Sequence, residues 1–307
     1  MRAFRFGVSV STASSIGEWQ DIARSAERMG FDVLSVADHI GGLYSPFEAL
    51  MAAAAVTDRI HLSTLVLNND LRHPALVARQ AALLQEFSGG RFELGLGAGH
   101  AAREYAEIGL PFDPPAVRVA RLGEAVALIG RLLSREAVTL TGEHYSLVNH
   151  RVFPVPSVAV PIMVGGNGRQ LLRLAATGAD IVGFTGLGRT LADGQAHATT
   201  GFSAASVNGR VALVREAAGH RFVDLELNVL VQMVRPSSDR EATARELARR
   251  MPGLAAEEVL DSPFLLFGTP EEIAAQLRRG RERWGFTYFS TFWAGAEPLA
   301  EVISLLR

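Results

Sequence analysis

Asp38 and His39 stand side by side in the stretch ADHIGG, directly after the apolar run DVLSV. An imidazole beside a carboxylate can hold, orient or exchange a proton near neutral pH. The plainer alternative is a loop-capping aspartate next to a surface histidine. His100 closes a second stretch, SGGRFELGLGAGH, whose strand-like run Arg91–Leu96 is interrupted and followed by Gly95, Gly97 and Gly99. So much glycine in a strand marks a sharp turn or a close approach by another group. A third stretch, VGGNGRQ, sets Gly165, Gly166, Asn167 and Gly168 before a helical pattern. There backbone N–H groups can face an anion, although a simple tight turn fits the same residues. DIVGFTG places Thr185 and Gly186 after the next apolar run, and LVLNND places Asn68 and Asn69 after another. Many glycines, one proton-transfer pair and few carboxylates look more like a cofactor cradle than a hydrolase.

Composition removes several other chemistries. There is no cysteine, hence no thiol nucleophile, cysteine-ligated zinc, iron–sulfur cluster or disulfide. All 30 basic residues are arginine, so neither a Schiff base nor a phosphate-loop lysine is available. The histidines show no H-x-H or H-E-x-x-H spacing, which argues against a metal site, and there is no G-x-S-x-G elbow. GAGHAA fits the dinucleotide pattern G-x-G-x-x-A through Gly97, Gly99 and Ala102. The chain then runs into the proline-rich GLPFDPPAVR rather than a strand ending in an acidic residue. The net charge of −2 gives no reason to expect nucleic acid or an anionic membrane. No run approaches the roughly 18 apolar residues of a membrane span. The N-terminal MRAFRFGVSVSTASS alternates like a strand and lacks a signal-peptide core. A cytoplasmic protein acting on a small molecule is the expectation.

The elements that must carry these residues repeat. Strand-like runs begin near Phe4, Asp32, Ile60 and Arg91, about 28 to 31 residues apart, with helical patterns between them. Pro46 and Pro74 open two of those helices and Gly30 and Gly89 close two. Such short connections require crossovers, hence a parallel sheet. The second half continues with VPIMVGG and DIVGFTG, each with a helix. FVDLELNVLVQMV reads as the seventh strand and TYFSTFW as the eighth, after the helix TPEEIAAQLRRGRERWG. Eight strands alternating with eight helices predict one (β/α)8 TIM barrel over residues 1–307, with insertions after strands 4, 6 and 7. One insertion, AVTLTGEHYSLVN, reads as a hairpin. In such a barrel the C-terminal strand ends carry the chemistry, and Asp38, His39, Asn68, His100, Gly165 and Thr185 all fall there.

SVADH, TLVLNNDLRHPALVARQAALLQEFSGGRFELGLGAGH, PIMVGGNGRQLLRLAATGADIVGFTG and GTPEEIAAQLRR together resemble the bacterial luciferase-like superfamily. The nearest likeness is to its deazaflavin-dependent oxidoreductases, and it runs over about Phe4 to Leu306. The resemblance implies a homodimeric barrel that binds coenzyme F420, a 5-deazaflavin, or alternatively FMN. It implies that Asp38 and His39 form the Asp-His pair after strand 2, with Asp38 among the cofactor-binding residues and His39 facing the reactive ring edge. Leu65 and Val66 would form a bulged segment with a non-proline cis peptide behind the ring. Ala98 and Gly99 would contact the ribityl chain, and Gly165, Gly166, Asn167, Gly168, Thr185 and Gly186 the phosphate. The glycines would thus clear room for the cofactor. Sugar-phosphate dehydrogenases of this branch carry a glutamate where this chain has His100, and a tryptophan where it reads IGGLYS. Both departures argue against a sugar-phosphate substrate and make His39 and His100 rival proton donors. The implied activity is hydride transfer between the deazaflavin and an organic substrate. The alternatives are an FMN-dependent monooxygenase and a non-catalytic flavin-binding barrel.

Overall fold

A computed structural model describes residues 2–41, 44–187 and 199–307. Its centre is eight parallel strands: β1 Arg5–Ser9, β2 Val33–Val36, β3 His61–Thr64, β4 Phe92–Gly97, β5 Ile162–Gly165, β6 Ile181–Phe184, β7 Glu226–Leu230 and β8 Phe286–Phe292. Each pairs in parallel with the next, and β8 pairs with β1, so the sheet closes on itself as expected. Closure leaves no strand edge unpaired in the barrel.

Eight helices wrap the barrel: α1 Ile16–Arg28, α2 Pro46–Ala54, α3 Pro74–Phe87, α4 Pro115–Leu133, α5 Arg169–Gly178, α6 Ala204–Ala218, α7 Pro270–Trp284 and α8 Ala296–Leu306. Local chemistry sets their ends. Ser15 caps α1 by accepting from the Glu18 N–H, and α2, α3, α4 and α7 carry proline in the first turn. Thr269 and Glu272 form a reciprocal capping box on α7, which stops at Gly285 with φ of 83°. On α1 the buried residues Trp19, Ala23 and Ala26 fall one and two turns apart, a single stripe turned to the barrel.

The N-terminal end of the barrel is filled by charge. Arg5 pairs with both Glu93 and Glu226 and lies 4.6 Å over the buried ring of Tyr288. Burial pushes the Glu93 carboxyl above its ordinary pKa, against the pull of Arg5.

One departure from the sequence reading concerns the strands. FVDLELNVLVQMV is not one strand, because β7 stops at Leu230. Val231 still donates to Ser290 O at 2.7 Å on β8, but the Gln232 N–H turns to Phe264 O at 2.8 Å. Met233–Pro236 then pairs with Leu265–Gly268 in a separate parallel ribbon, so the apolar run continues while its partner changes. This ribbon and the helices Arg240–Arg250 and Ala256–Leu260 form the insertion after β7. The insertion after β4 holds the helix Ala102–Glu107 and the expected hairpin, Val138–Thr141 with Ser146–His150. Part of the insertion after β6, residues 188–198 with His197, lies outside the described residues, as do Gly42 and Leu43 of IGGLYS.

The irregularity that the resemblance implies at Leu65 and Val66 follows β3. Ser63 faces Glu93 of β4, yet Leu67 faces Leu96, so β3 spends four steps where β4 spends three. The extra residue is a bulge at the mouth of the barrel.

Candidate active site

The bulge explains the glycines. Thr64 Oγ1 accepts the Gly95 N–H and donates to the Gly95 carbonyl, both at 2.8 Å, which replaces the interrupted ladder bonds. The Leu65–Val66 peptide bond is cis, as the resemblance implies. A Cβ on Gly95 would lie 2.0 Å from the Thr64 carbonyl oxygen, and one on Gly97 2.7 Å from Val66 Cγ2. On Gly165 of β5 it would lie 3.1 Å from Val66 Cγ1. Leu65 and Val66 pack into the barrel against Val33, Met163, Ile181 and Tyr288. These three glycines therefore clear room for the bulged strand. The bulge is thus a reason for glycine at 95, 97 and 165 that stands beside the expected one, room for a cofactor. Gly186, with φ of 71°, likewise accommodates the rings of Phe202 and Phe264.

Asp38 is buried at the end of β2, and its carboxylate is committed. It receives both terminal nitrogens of Arg72, at 2.5 and 3.1 Å, and the Asn68 N–H at 3.0 Å. This fork ties β2 to the segment after the bulge. The Asn68 Oδ1 and Asp70 Oδ2 atoms lie 3.0 and 2.9 Å from the hydroxyl of Tyr105. Burial, and then the neighbouring Asp70, push the Tyr105 phenol up to about 12, so it remains a donor. Asp70 also pairs with Arg121 of α4 at 2.9 Å, and Asn69 donates to the hydroxyl of Tyr145 on the hairpin at 3.1 Å. Gly99, with φ of 72°, turns the chain tightly under this network, where a Cβ would meet the Tyr105 hydroxyl at 2.1 Å. Ala98 beside it is buried.

His39 sits above this brace. Its Nδ1 lies 2.6 Å from Glu104 Oε1, and its ring meets that of His100 edge-on, with centroids 5.3 Å apart and planes at 88°. The two histidines singled out from the sequence are thus neighbours. Glu104 was missed, although its place four residues after His100, with a helical pattern beginning between them, was a usable signal. Arg72 and Tyr105 were missed as well.

Across the mouth, Asn167 Nδ2 donates to Thr185 Oγ1 at 2.7 Å and to the Leu187 carbonyl, and Gln232 Nε2 donates to the Thr185 carbonyl at 3.1 Å. The Asn167 side chain therefore staples the β5 and β6 loops together. The N-cap of α5 is Gly168, which has no side chain to satisfy the first-turn N–H groups, and a Cβ there would meet nothing within 4 Å. An uncapped helix N-terminus beside open space suits an anion. Among the described residues no group of three or more histidine, aspartate or glutamate side chains could hold a metal. A cavity of about 370 Å³ lined by Leu277, Trp284 and Phe289 lies outside the barrel beside α7 and contains none of these residues. No helix among the described residues is long and apolar enough to cross a membrane.

The chain is similar to several known proteins. The chain is 39% identical over 175 residues to an F420-dependent glucose-6-phosphate dehydrogenase of Beutenbergia cavernae, covering 54% of this chain and 52% of the relative. Its counterpart in Kineococcus radiotolerans is 38% identical over 172 residues, 53% and 51% of the two chains. The chain spans about half the length of the curated relatives it matches. Among solved structures, an F420-dependent secondary alcohol dehydrogenase in complex with an F420–acetone adduct superposes over both full lengths, with a TM-score of 0.78 at 20% identity. The coenzyme F420-dependent tetrahydromethanopterin reductase of Methanopyrus kandleri does so with a TM-score of 0.76 at 18% identity. These two likenesses establish a common fold. The pattern that defines the luciferase-like monooxygenases matches residues 1–288, and the chain belongs to that family.

Proposed function

We propose that the chain is an oxidoreductase that moves a hydride between coenzyme F420 and a small organic substrate, with His39 handling the accompanying proton. The observation that carries this reading is the His39–Glu104 contact beside His100, set at the strand ends opposite an uncapped, glycine-led helix N-terminus. The F420-dependent relatives and fold neighbours support the choice of cofactor.

The residues present suit such a group. The first turn of α5, which follows Gly168, offers backbone donors for a phosphate, and Gly165 and Gly166 lead the chain into it, the Gly166 N–H being held by the Gly183 carbonyl at 3.0 Å. Asn167 and Thr185 hold that loop pair in shape, and Gly186 lets it pack on Phe202 and Phe264. Ala98 and Gly99 with Asn68 would line the chain between phosphate and ring, and Leu65 and Val66 would back the ring. Asp38 contributes by fixing Asn68 and Arg72. A deazaflavin carries carbon where a flavin has N5, so it supplies two-electron hydride chemistry. What the protein does is hold, orient and exchange protons at His39.

We further propose that the chain works as one domain and as a homodimer. Phe87, Phe153 and Val158 are 68, 83 and 51% exposed, on segments joined by the Gln85–Val158 and Glu86–Ser157 hydrogen bonds. Sedimentation of the wild type against Phe153→Ser tests that face. The activity is tested by mixing the protein anaerobically with reduced F420 and a panel of carbonyl compounds. Reoxidation without oxygen supports hydride transfer. Turnover that requires NADH, FMN and oxygen instead assigns the protein to the monooxygenases.

A further inference from the structure

We infer that Glu104 is the positioning residue for His39, holding its ring as the Nδ1–H tautomer so that Nε2 is the nitrogen that exchanges a proton with the substrate. This rests on the proposed role of His39 as the proton handler.

A separation of 2.6 Å between Nδ1 and Oε1 requires a proton between the two atoms, since two facing lone pairs would repel. An ionised carboxylate is an acceptor only, and imidazole is the more basic of the two side-chain types, so the hydrogen belongs to Nδ1. The contact is shielded, with the Glu104 side chain 16% exposed and that of His39 36%. His100 packs edge-on against the same ring. Flipping the imidazole would bring a carbon atom to the carboxylate and forfeit the bond.

Glu104 is itself well placed. It lies on the helix Ala102–Glu107, directly after the Gly99 turn. Its neighbour Tyr105 anchors that helix to Asn68 and Asp70. This chain has a histidine at position 100, so the carboxylate reaches His39 from the following helical turn. Once His39 has taken a proton, the same carboxylate faces an imidazolium and stabilises it.

The test is a tautomer measurement on the full-length protein, using long-range proton–nitrogen correlation spectra of histidine labelled with nitrogen-15. Wild-type His39 should show a protonated Nδ1 and an unprotonated Nε2 when the ring is neutral. Glu104→Gln should lose that preference, and Glu104→Asp should keep part of it. With a deazaflavin and a working substrate, Glu104→Gln should lower kcat/KM by roughly 10²- to 10⁴-fold, with partial recovery in Glu104→Asp and little change in cofactor Kd. A wild-type ring that is mainly protonated on Nε2, or a preference unchanged in both variants, overturns the inference. The tautomer is read without any cofactor, so failure of the functional reading is seen separately, as loss of F420 binding with the Nδ1–H signal intact.

Discussion

Replacing Gly95 by alanine tests the account of the bulge. The new Cβ would lie 2.0 Å from the Thr64 carbonyl oxygen, whereas carbon and oxygen ordinarily stay about 3.3 Å apart, so β3 and β4 must separate by roughly 1.3 Å. That shift breaks the two Thr64–Gly95 hydrogen bonds, about 1 kcal/mol each. Overpacking against backbone adds about 1 to 3 kcal/mol. Reduced freedom of the unfolded chain returns about 0.4 to 1 kcal/mol. The expected net loss is about 3 kcal/mol, read as a lower urea midpoint at unchanged m-value. Gly97→Ala meets only the Val66 side chain, at 2.7 Å, and should cost about 1 to 2 kcal/mol. Val66→Ala should relieve most of that cost, and little of the Gly95→Ala cost, because the Thr64 carbonyl remains. A Gly95→Ala protein within about 0.5 kcal/mol of wild type, or one rescued by Val66→Ala, refutes the reasoning.

Three further outcomes are expected. Asp38→Asn should destabilise by about 2 to 4 kcal/mol by leaving Arg72 without its carboxylate, less than a fully dry pair because Arg72 retains some water; thermal unfolding checks this. At Glu27, burial raises the carboxyl pKa, but the N–H groups of Asp58, Arg59 and Ile60 outweigh it and the net shift is downward. A depressed acid stabilises the fold above its unfolded value and loses that contribution as pH falls through the folded value. Glu27→Gln should therefore cost about 1 kcal/mol at pH 7, kept low by solvent access, and the gap from wild type should close below the ordinary carboxyl value of 4.5 in denaturant titrations at stepped pH. His39→Ala should slow turnover by roughly 10²- to 10⁴-fold with cofactor affinity little changed. If His100→Ala alone has that effect in parallel steady-state assays, the proton role passes to His100.

The barrel was legible because its signals are local. Proline at the start of α2, α3 and α7, the Thr269–Glu272 box and the regular recurrence of apolar runs each report on a few neighbouring residues. The break after Leu230 was not legible, since LELNVLVQMV keeps its strand-forming pattern while the pairing partner changes from Ser290 to Phe264. Glycine at positions 95 and 97 signalled a close approach correctly, but the sequence cannot say that the approaching group is Thr64 and Val66. Asp38 and His39 were visible as a pair, and their partners Arg72 and Glu104, 34 and 65 residues away, were not. Adjacent residues that look like one catalytic unit thus divide their work: Asp38 braces the β3 loop while His39 faces Glu104. Asn167 was visible in its glycine-rich loop, while its bonds to Thr185 and Leu187, 18 and 20 residues away, were not.

The central claim concerns the cofactor, and a side-by-side binding titration with F420 and FMN addresses it most directly. Both ligands fluoresce, so one purified protein sample can be titrated with each under identical conditions. The account predicts that F420 binds at least about tenfold more tightly, a difference of about 1.4 kcal/mol. Equal or tighter binding of FMN would contradict it.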